Sequence, residues 1–107
     1  WGTKLEFFHE ELGDATSLVM DTFAVEAWSA AFKEAFGTEP IHMGAGGSIP
    51  FISTFSEMYP GVPILVIGTS DPTSAYHAPN ESQDLADLGK AVLAEAIAFR
   101  LIAQGSA

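Results

Sequence analysis

The sequence contains no cysteine, and only 4 of its 107 residues are basic whereas 14 are acidic. Without cysteine, the chain can form neither a disulfide nor a thiolate metal site. A formal net charge of -10 repels phosphate backbones and anionic lipid surfaces, so we expect neither nucleic acid nor a membrane as a partner. No apolar run approaches the ~20 residues that a membrane-spanning helix requires.

Apolar residues, in contrast, make up 48% of the chain, which is high for a short domain that buries only a modest fraction of its surface. The sequence also begins at Trp1 without a Met or a leader. We interpret both features as signs that the chain meets more protein, either missing chain or another subunit, and a homo-oligomer is one expected arrangement.

A long helix is predicted at residues 19–36, because apolar residues recur there at spacings of three and four. Asp21 and Thr22 are possible N-terminal caps if the helix starts late. Gly37 stands where a left-handed C-terminal cap is expected. We expect Trp28 to pack in a core or an interface rather than to stack on a ligand.

The closing helix is predicted at residues 84–104, and Asn80 or Ser82 can cap its start. It is apolar enough to be covered on more than one side. Its principal apolar face is expected to consist of Leu85, Leu88, Val92, Ala96 and Ile97.

Three segments, at residues 3–8, 39–43 and 62–67, are predicted to be strands. The third is entirely apolar, as in a strand that is buried on both faces. A short helix at residues 51–59 lies between the second and third strands, which predicts a βαβ unit with a parallel pair. The predicted fold class is therefore α/β, a partial three-layer domain with a short, mainly parallel sheet and flanking helices.

The glycine-rich turn at residues 44–50 is the first candidate site. Its glycines allow a ligand to approach the backbone, and the free N–H groups of a helix start favour an anion. Ser48 is a natural N-cap, and Pro50 suits the first helical turn. The spacing is not that of a P-loop, so the pattern alone is equally typical of a tight turn between a strand and a helix.

His77 is the second candidate, because it lies on the loop after the apolar strand, where open α/β sheets place their chemistry. A neutral imidazole can bind zinc, although a lone histidine is more often a hydrogen-bonded structural residue. Tyr76 and Asn80 can organise the surroundings of such a ligand, and Glu81 can accept a hydrogen bond from the ring or cap the following helix.

The two motifs together resemble the C-terminal end of one family. Gly46-Gly47-Ser48-Ile49-Pro50, followed by an apolar segment and then by Tyr76-His77-Ala78-Pro79-Asn80-Glu81, is similar to the zinc-dependent exopeptidases and amidohydrolases that include aminoacylase, carboxypeptidase G and cytosolic dipeptidases (peptidase family M-twenty). The dipeptidase branch is the most similar. The resemblance implies that residues 1–17 are the tail of a lid or dimerisation domain and that residues 18–107 are the C-terminal part of the catalytic domain.

The resemblance also implies roles for individual residues. His77 matches the family's last metal ligand, which binds one of two zinc ions, and cobalt or manganese are possible replacements. Gly46, Gly47 and Ser48 match the turn that lines the cleft near the carboxylate of the substrate.

Supporting roles around the metal ligand are implied for Tyr76, Asn80 and Glu81. His9 and His42 match no ligand position, and we expect His9 to be solvated and His42 to be structural. The family's His-x-Asp ligand pair, bridging Asp and catalytic Glu-Glu pair are absent, so this chain holds no catalytic residue of its own.

The function that the resemblance implies is that of a C-terminal fragment of a dinuclear zinc metallopeptidase. It would hydrolyse an amide bond next to a free carboxylate, in a small peptide or an N-acyl amino acid, and it would be inactive without the remaining part of the catalytic domain. We expect a cytoplasmic location. The alternative is a non-catalytic carboxylate-binding or interaction module with half of this fold, and a third interpretation is a site that the three histidines form across a homo-oligomer.

Overall fold

The computed structural model describes residues 2–8, 15–20, 22–44 and 49–105. In these ranges the chain forms three helices, which are α1 at Phe23–Phe36, α2 at Pro50–Met58 and α3 at Leu85–Gly105. None of these helices combines the length and the hydropathy that a membrane span requires. The predicted division of the chain between residues 17 and 18 stays a prediction.

The core lies between α1 and α3, which pack against each other. Ala31 of α1 and Ala94 and Ala98 of α3 are completely buried, and Ile97 is 7% exposed. Because alanine side chains are small, the two helix surfaces can approach closely. Partly buried apolar side chains pack around this cluster, namely Trp28, Phe32, Ala35 and Leu101. The expectation that Trp28 packs rather than stacks on a ligand agrees with this position.

Both ends of α1 follow local sequence signals. The Thr22 hydroxyl accepts a hydrogen bond from the backbone N–H of Val25 at 3.3 Å, so the later of the two predicted caps is the one used. At the other end, Gly37 has φ 79° and ψ 3°, and its N–H donates to the Lys33 carbonyl at 2.9 Å. The predicted left-handed cap is therefore confirmed.

The start of α3 corrects the expected caps. The Asp84 carboxylate accepts hydrogen bonds from the N–H groups of Ala86 at 2.7 Å and of Asp87 at 3.0 Å. Asp84 therefore caps the helix, and the expectation that Asn80 or Ser82 does so was wrong. The reason is the position of the first helical residue, Leu85, because a side chain reaches the free N–H groups only from directly before it.

The predicted principal face of α3 is also corrected. Leu85, Leu88 and Val92 are 78%, 39% and 61% exposed, and Ala96 is exposed as well. Of the predicted face only Ile97 is buried, and the other residues that α3 buries are Ala94 and Ala98. Apolar periodicity was present on more than one side of this helix, and the side that contacts α1 is the one with small residues.

The predicted fold class is contradicted, because the described residues contain three helices and no strand. The segments at 3–8, 39–43 and 62–67, which were expected to be strands, form no sheet. Their apolar and β-branched composition suits a pleated surface, but a strand also needs a neighbouring strand to take its backbone hydrogen bonds. The described part of the chain is therefore all-α rather than a three-layer α/β domain with a parallel sheet.

Much apolar surface is left open by this arrangement. The chain exposes 8843 Å², whereas a compact monomer of 11.3 kDa exposes about 5,700 Å². Its Cα radius of gyration is 17.6 Å, against about 13 Å for a compact domain of this length. The excess, roughly 3,100 Å² on one chain, is more than the roughly 1,000–2,500 Å² that each partner buries in an obligate interface.

Candidate functional site

The loop between the apolar segment and α3 carries the second candidate motif, and a side chain closes its base. The Thr69 hydroxyl donates to Oε1 of Gln83 at 2.7 Å, and Nε2 of Gln83 donates back to the Thr69 carbonyl at 3.0 Å. The same Nε2 also donates to the Asp84 carbonyl at 3.0 Å. These bonds tie residues 69 and 83 together across the loop, which we call the His77 loop (residues 69–83).

A tight turn occupies the first arm of the His77 loop. The N–H and the hydroxyl of Thr73 both donate to Oδ1 of Asp71 at 2.6 Å, and the Asp71 N–H donates to Oγ of Ser74 at 2.9 Å. The Ser74 N–H donates to the Asp71 carbonyl at 3.1 Å. Hydrogen bonds from the hydroxyl and the N–H of Thr73 lower the pKa of the Asp71 carboxyl below its ordinary value, because they stabilise the charged form.

Ser74 connects this turn to the second arm. Its carbonyl accepts a hydrogen bond from the Ser82 N–H at 2.9 Å. Ser74 is 1% exposed and is the buried polar residue of the described chain. The N–H, the hydroxyl and the carbonyl of Ser74 all bond to other residues of the same loop. Ser74 therefore lies at the centre of the loop's hydrogen bonds.

His77 lies on the outer part of the loop and is exposed. Its ring packs edge-on against Tyr76, with 5.5 Å between the centroids and 80° between the planes. Within the part of the chain that the structure describes, its imidazole takes part in no hydrogen bond. The side chain is therefore available to a ligand or to another protein surface.

Three residues of the loop have left-handed backbones, with φ of 50° at Ala75, 61° at His77 and 64° at Asn80. Each such residue costs about 1 kcal/mol when it carries a side chain, although asparagine tolerates the conformation better. The Ala78 N–H donates to the Ala75 carbonyl at 3.1 Å and closes a turn around His77. Strain of this kind persists only where the surrounding bonds fix the backbone.

The described residues do not form a complete zinc site. No group of three or more His, Asp or Glu side chains able to hold a metal ion occurs among residues 2–8, 15–20, 22–44 and 49–105. A catalytic zinc typically has three protein ligands and one open position, so one exposed imidazole does not suffice. Glu81 and Asn80 are exposed on the same loop.

The other candidate motif is only partly described. Gly46, Gly47 and Ser48, predicted to line the substrate's carboxylate, lie outside the described residues. The helix that follows begins at Pro50, as expected, but its N-cap is Ile49, whose side chain cannot accept a hydrogen bond. The predicted N-cap, Ser48, was therefore wrong, because the helix starts one residue further along than that cap requires.

The remaining histidines do not join the site. His9 lies outside the described residues, and His42 is exposed rather than packed, which does not fit the expected structural role. Sequence reasoning also missed Ser74, Gln83 and Asp84. Of these three, only Asp84 carried a signal in the sequence, because aspartate directly before an apolar helix is typical of an N-terminal cap. The turn beside Ser74 was also visible, since aspartate two residues before threonine, as at Asp71, is an Asx-turn signal.

Comparison with known proteins gives one distant similarity. The chain is 29% identical over 97 residues, 90% of its length, to a cysteinylglycine-S-conjugate dipeptidase of Corynebacterium striatum. The aligned part is 21% of that dipeptidase, so the chain spans about a fifth of the length of this relative. No protein-family model matches the chain. No solved structure matches it. The similarity supports a relationship to peptidases, and it does not distinguish the dipeptidase branch from the others.

Proposed function

We propose that this chain is part of a peptidase that hydrolyses an amide bond beside a free carboxylate, in a small peptide or an N-acyl amino acid. The observation that carries the proposal is the identity of 29% to a dipeptidase over 90% of the chain. An alignment of this extent includes both candidate motifs or their surroundings, rather than one short pattern.

In this proposal, His77 binds one of two metal ions, with zinc preferred over cobalt or manganese. Its exposure and its position on a loop that hydrogen bonds close at the base support the role, because a metal ligand must be accessible and held in place. The other ligands and the general base come from chain outside these residues. Gly46, Gly47 and Ser48 line the carboxylate side of the pocket, and Tyr76, Asn80 and Glu81 support the ligand.

The open apolar surface also supports a larger protein. α2 buries none of its residues, although Phe51, Phe55 and Tyr59 contact one another along one side, with ring centroids 5.5 and 4.7 Å apart. Leu85 and Val92 leave a second apolar face open on α3. We propose that the remaining part of the catalytic domain covers these faces. A second copy of the protein, in a homo-oligomer, would cover the apolar surface that the catalytic domain leaves exposed.

The test uses the full-length protein that contains this chain. His77→Ala should remove one of two metal equivalents, measured by mass spectrometry of the bound metal, and nearly all hydrolysis of alanylglycine. His42→Ala is the matched control, because it removes another exposed histidine that carries no proposed role. Retention of the metal and of the turnover in the His77 variant would refute the assignment.

The second candidate is a non-catalytic carboxylate-binding or interaction module. The open apolar faces of α2 and α3 favour it, because such faces suit a separate protein partner as well as the rest of a catalytic domain. The genomic sequence upstream of Trp1 discriminates the two, since the peptidase proposal expects a long open reading frame that encodes His-x-Asp and an adjacent Glu pair. A start codon immediately before Trp1 would favour the module instead.

A further inference from the structure

The His77 loop is closed at its base by one side chain that reaches across it. Gln83 both accepts from and donates to Thr69, and these two bonds join residues that are 14 positions apart in the chain. A primary amide is suited to this task, because it offers an acceptor and two donors on one planar group. Replacing Gln83 removes both bonds, whereas replacing the Thr69 side chain removes only the bond that its hydroxyl donates.

A second hydrogen-bonded connection lies inside the loop. Ser74 is 1% exposed, its hydroxyl accepts from the Asp71 N–H, and its carbonyl accepts from the Ser82 N–H. It therefore joins the first arm to the second at a point between the base and His77. The two connections are independent, since one depends on Gln83 at the base and the other on the buried Ser74 nearer the tip.

The left-handed residues Ala75, His77 and Asn80 lie in the tip of the loop, beyond the Ser74–Ser82 connection. A loop of this length that is free to relax would move such residues to ordinary conformations, because a side chain at positive φ is unfavourable. The hydrogen bonds of Thr69, Ser74 and their partners prevent this relaxation. The orientation of the His77 imidazole depends on the backbone conformation that these hydrogen bonds maintain.

We propose that Thr69, Ser74 and Gln83 are positioning residues, which hold the His77 imidazole in the orientation that its ligand requires. The inference rests on the proposed function for the identity of that ligand, but the claim that these residues fix the imidazole can be measured without it. None of the three side chains hydrogen-bonds to His77 within the described residues, so we expect them to act through the backbone of the loop.

The experiment uses the full-length protein with isotope-labelled histidine. Thr69→Val removes the hydroxyl bond to Gln83 with a methyl group of similar size, and Thr69→Ser keeps that bond. Gln83→Ala removes the same bond together with those from Nε2 to the Thr69 and Asp84 carbonyls. Thr54→Val is the control, because its hydroxyl also donates to a carbonyl, that of Pro50 at 3.2 Å, but lies on α2.

Two quantities are measured, namely the NMR signal of the His77 imidazole, assigned with His77→Ala, and kcat/KM for alanylglycine. We expect Thr69→Val and Gln83→Ala to split or broaden the His77 signal and to lower kcat/KM by about tenfold to a hundredfold, the range that a small misplacement produces. Thr69→Ser should restore both, and Thr54→Val should change neither. Ser74→Ala removes the hydroxyl acceptor of the Asp71 N–H but keeps the backbone bond to Ser82, so it should give a smaller change of the same kind. Circular dichroism checks that every variant keeps its helices.

A single, unshifted His77 signal in Thr69→Val and Gln83→Ala would overturn the inference. So would a loss in Thr69→Val that Thr69→Ser does not restore, because the effect would then arise from packing rather than from the hydrogen bond. If His77→Ala keeps full activity, the proposed function fails, and the imidazole signal alone then decides the positioning claim. If His77→Ala is inactive while the loop variants are normal, only the positioning claim fails.

Discussion

Two glycines in this chain are predicted to respond in opposite directions to the same substitution. Gly37 caps α1 with φ 79°, whereas Gly89 lies inside α3 with an ordinary backbone. A Cβ added at either position meets nothing within 4 Å, so steric contact contributes to neither result. The two variants therefore isolate the backbone contribution at a helix end and in a helix interior.

The expected magnitudes follow from the backbone conformations. Gly89→Ala should raise the free energy of unfolding by about 1 kcal/mol, because alanine is the better helix former. Gly37→Ala should lower it by about 1 kcal/mol, since left-handed strain of about 1–2 kcal/mol exceeds the entropy that alanine removes from the unfolded chain. Gly68→Ala is the control, because its backbone is not left-handed and its Cβ is also free of contacts, so only the unfolded-chain gain of about 0.5 kcal/mol remains.

The assay is urea or thermal unfolding of the chain, followed by far-ultraviolet circular dichroism. A change of 1 kcal/mol corresponds to about 4–8 °C in Tm for a domain of this size, so a difference between the Gly37 and Gly89 variants is easily resolved. Changes of the same sign in both variants would refute the left-handed conformation of Gly37 or the helical conformation of Gly89. A Gly37 variant as stable as the Gly68 variant would show that residue 37 is not left-handed.

Three further predictions concern single hydrogen-bonded positions. Thr22→Ala should destabilise α1 by about 1 kcal/mol through loss of the bond to the Val25 N–H, and Thr22→Ser should not, as thermal unfolding can show. Asp84→Ala should cost about 1 kcal/mol because two N–H groups of α3 lose their acceptor, whereas Asp84→Asn should cost less. Thr73→Val should raise the pKa of Asp71 towards its ordinary value, measured by NMR titration of the carboxyl carbon.

The pH dependence at Asp71 has a defined sign. The folded-state pKa of this carboxyl lies below its ordinary value of 3.8, so its contribution to stability is present above that value and is lost as the pH falls through the folded-state pKa. Loosening of the turn on acidification should be smaller in Thr73→Val than in the parent chain. An equal response in both proteins would show that the Thr73 hydroxyl does not lower this pKa. For the separate prediction on α3, an unchanged helix content in Asp84→Ala would contradict the cap.

The helices could be read from the sequence because their signals are local. Periodicity predicted α1 and α3, and residues typical of helix ends predicted α2, within a few residues of their observed bounds. The Gly37 cap followed from one residue type at one position. Hydrogen bonds in a helix join residues four apart, so a short stretch of sequence contains the whole cause of the structure.

The prediction of a sheet was wrong, because strand pairing does not depend on local signals alone. The segment at 62–67 has the composition of a buried strand, yet Val62 donates its N–H to the Tyr59 carbonyl at 3.1 Å in a turn, and Val66 and Ile67 are exposed. Whether such a segment pairs depends on a partner that is distant in sequence, which its own residues cannot specify.

The candidate site likewise has local features that the sequence indicates and non-local features that it does not. The sequence pointed to His77, whose role stays a prediction, and it contained the Asx-turn signal at Asp71. It did not reveal that Gln83 reaches back to Thr69 or that Ser74 is buried, because both depend on how the two arms of the loop come together.

The sequence by itself determined the absence of disulfides, the acidic character of the chain, the three helices and the glycine cap of α1. Only the tertiary structure decided that α3 turns its alanines, rather than Leu85 and Val92, towards α1, and that no strand pairs in the described residues. The physical reason is that helix formation and charge depend on neighbours along the chain, whereas burial and strand pairing depend on which distant surfaces fit together.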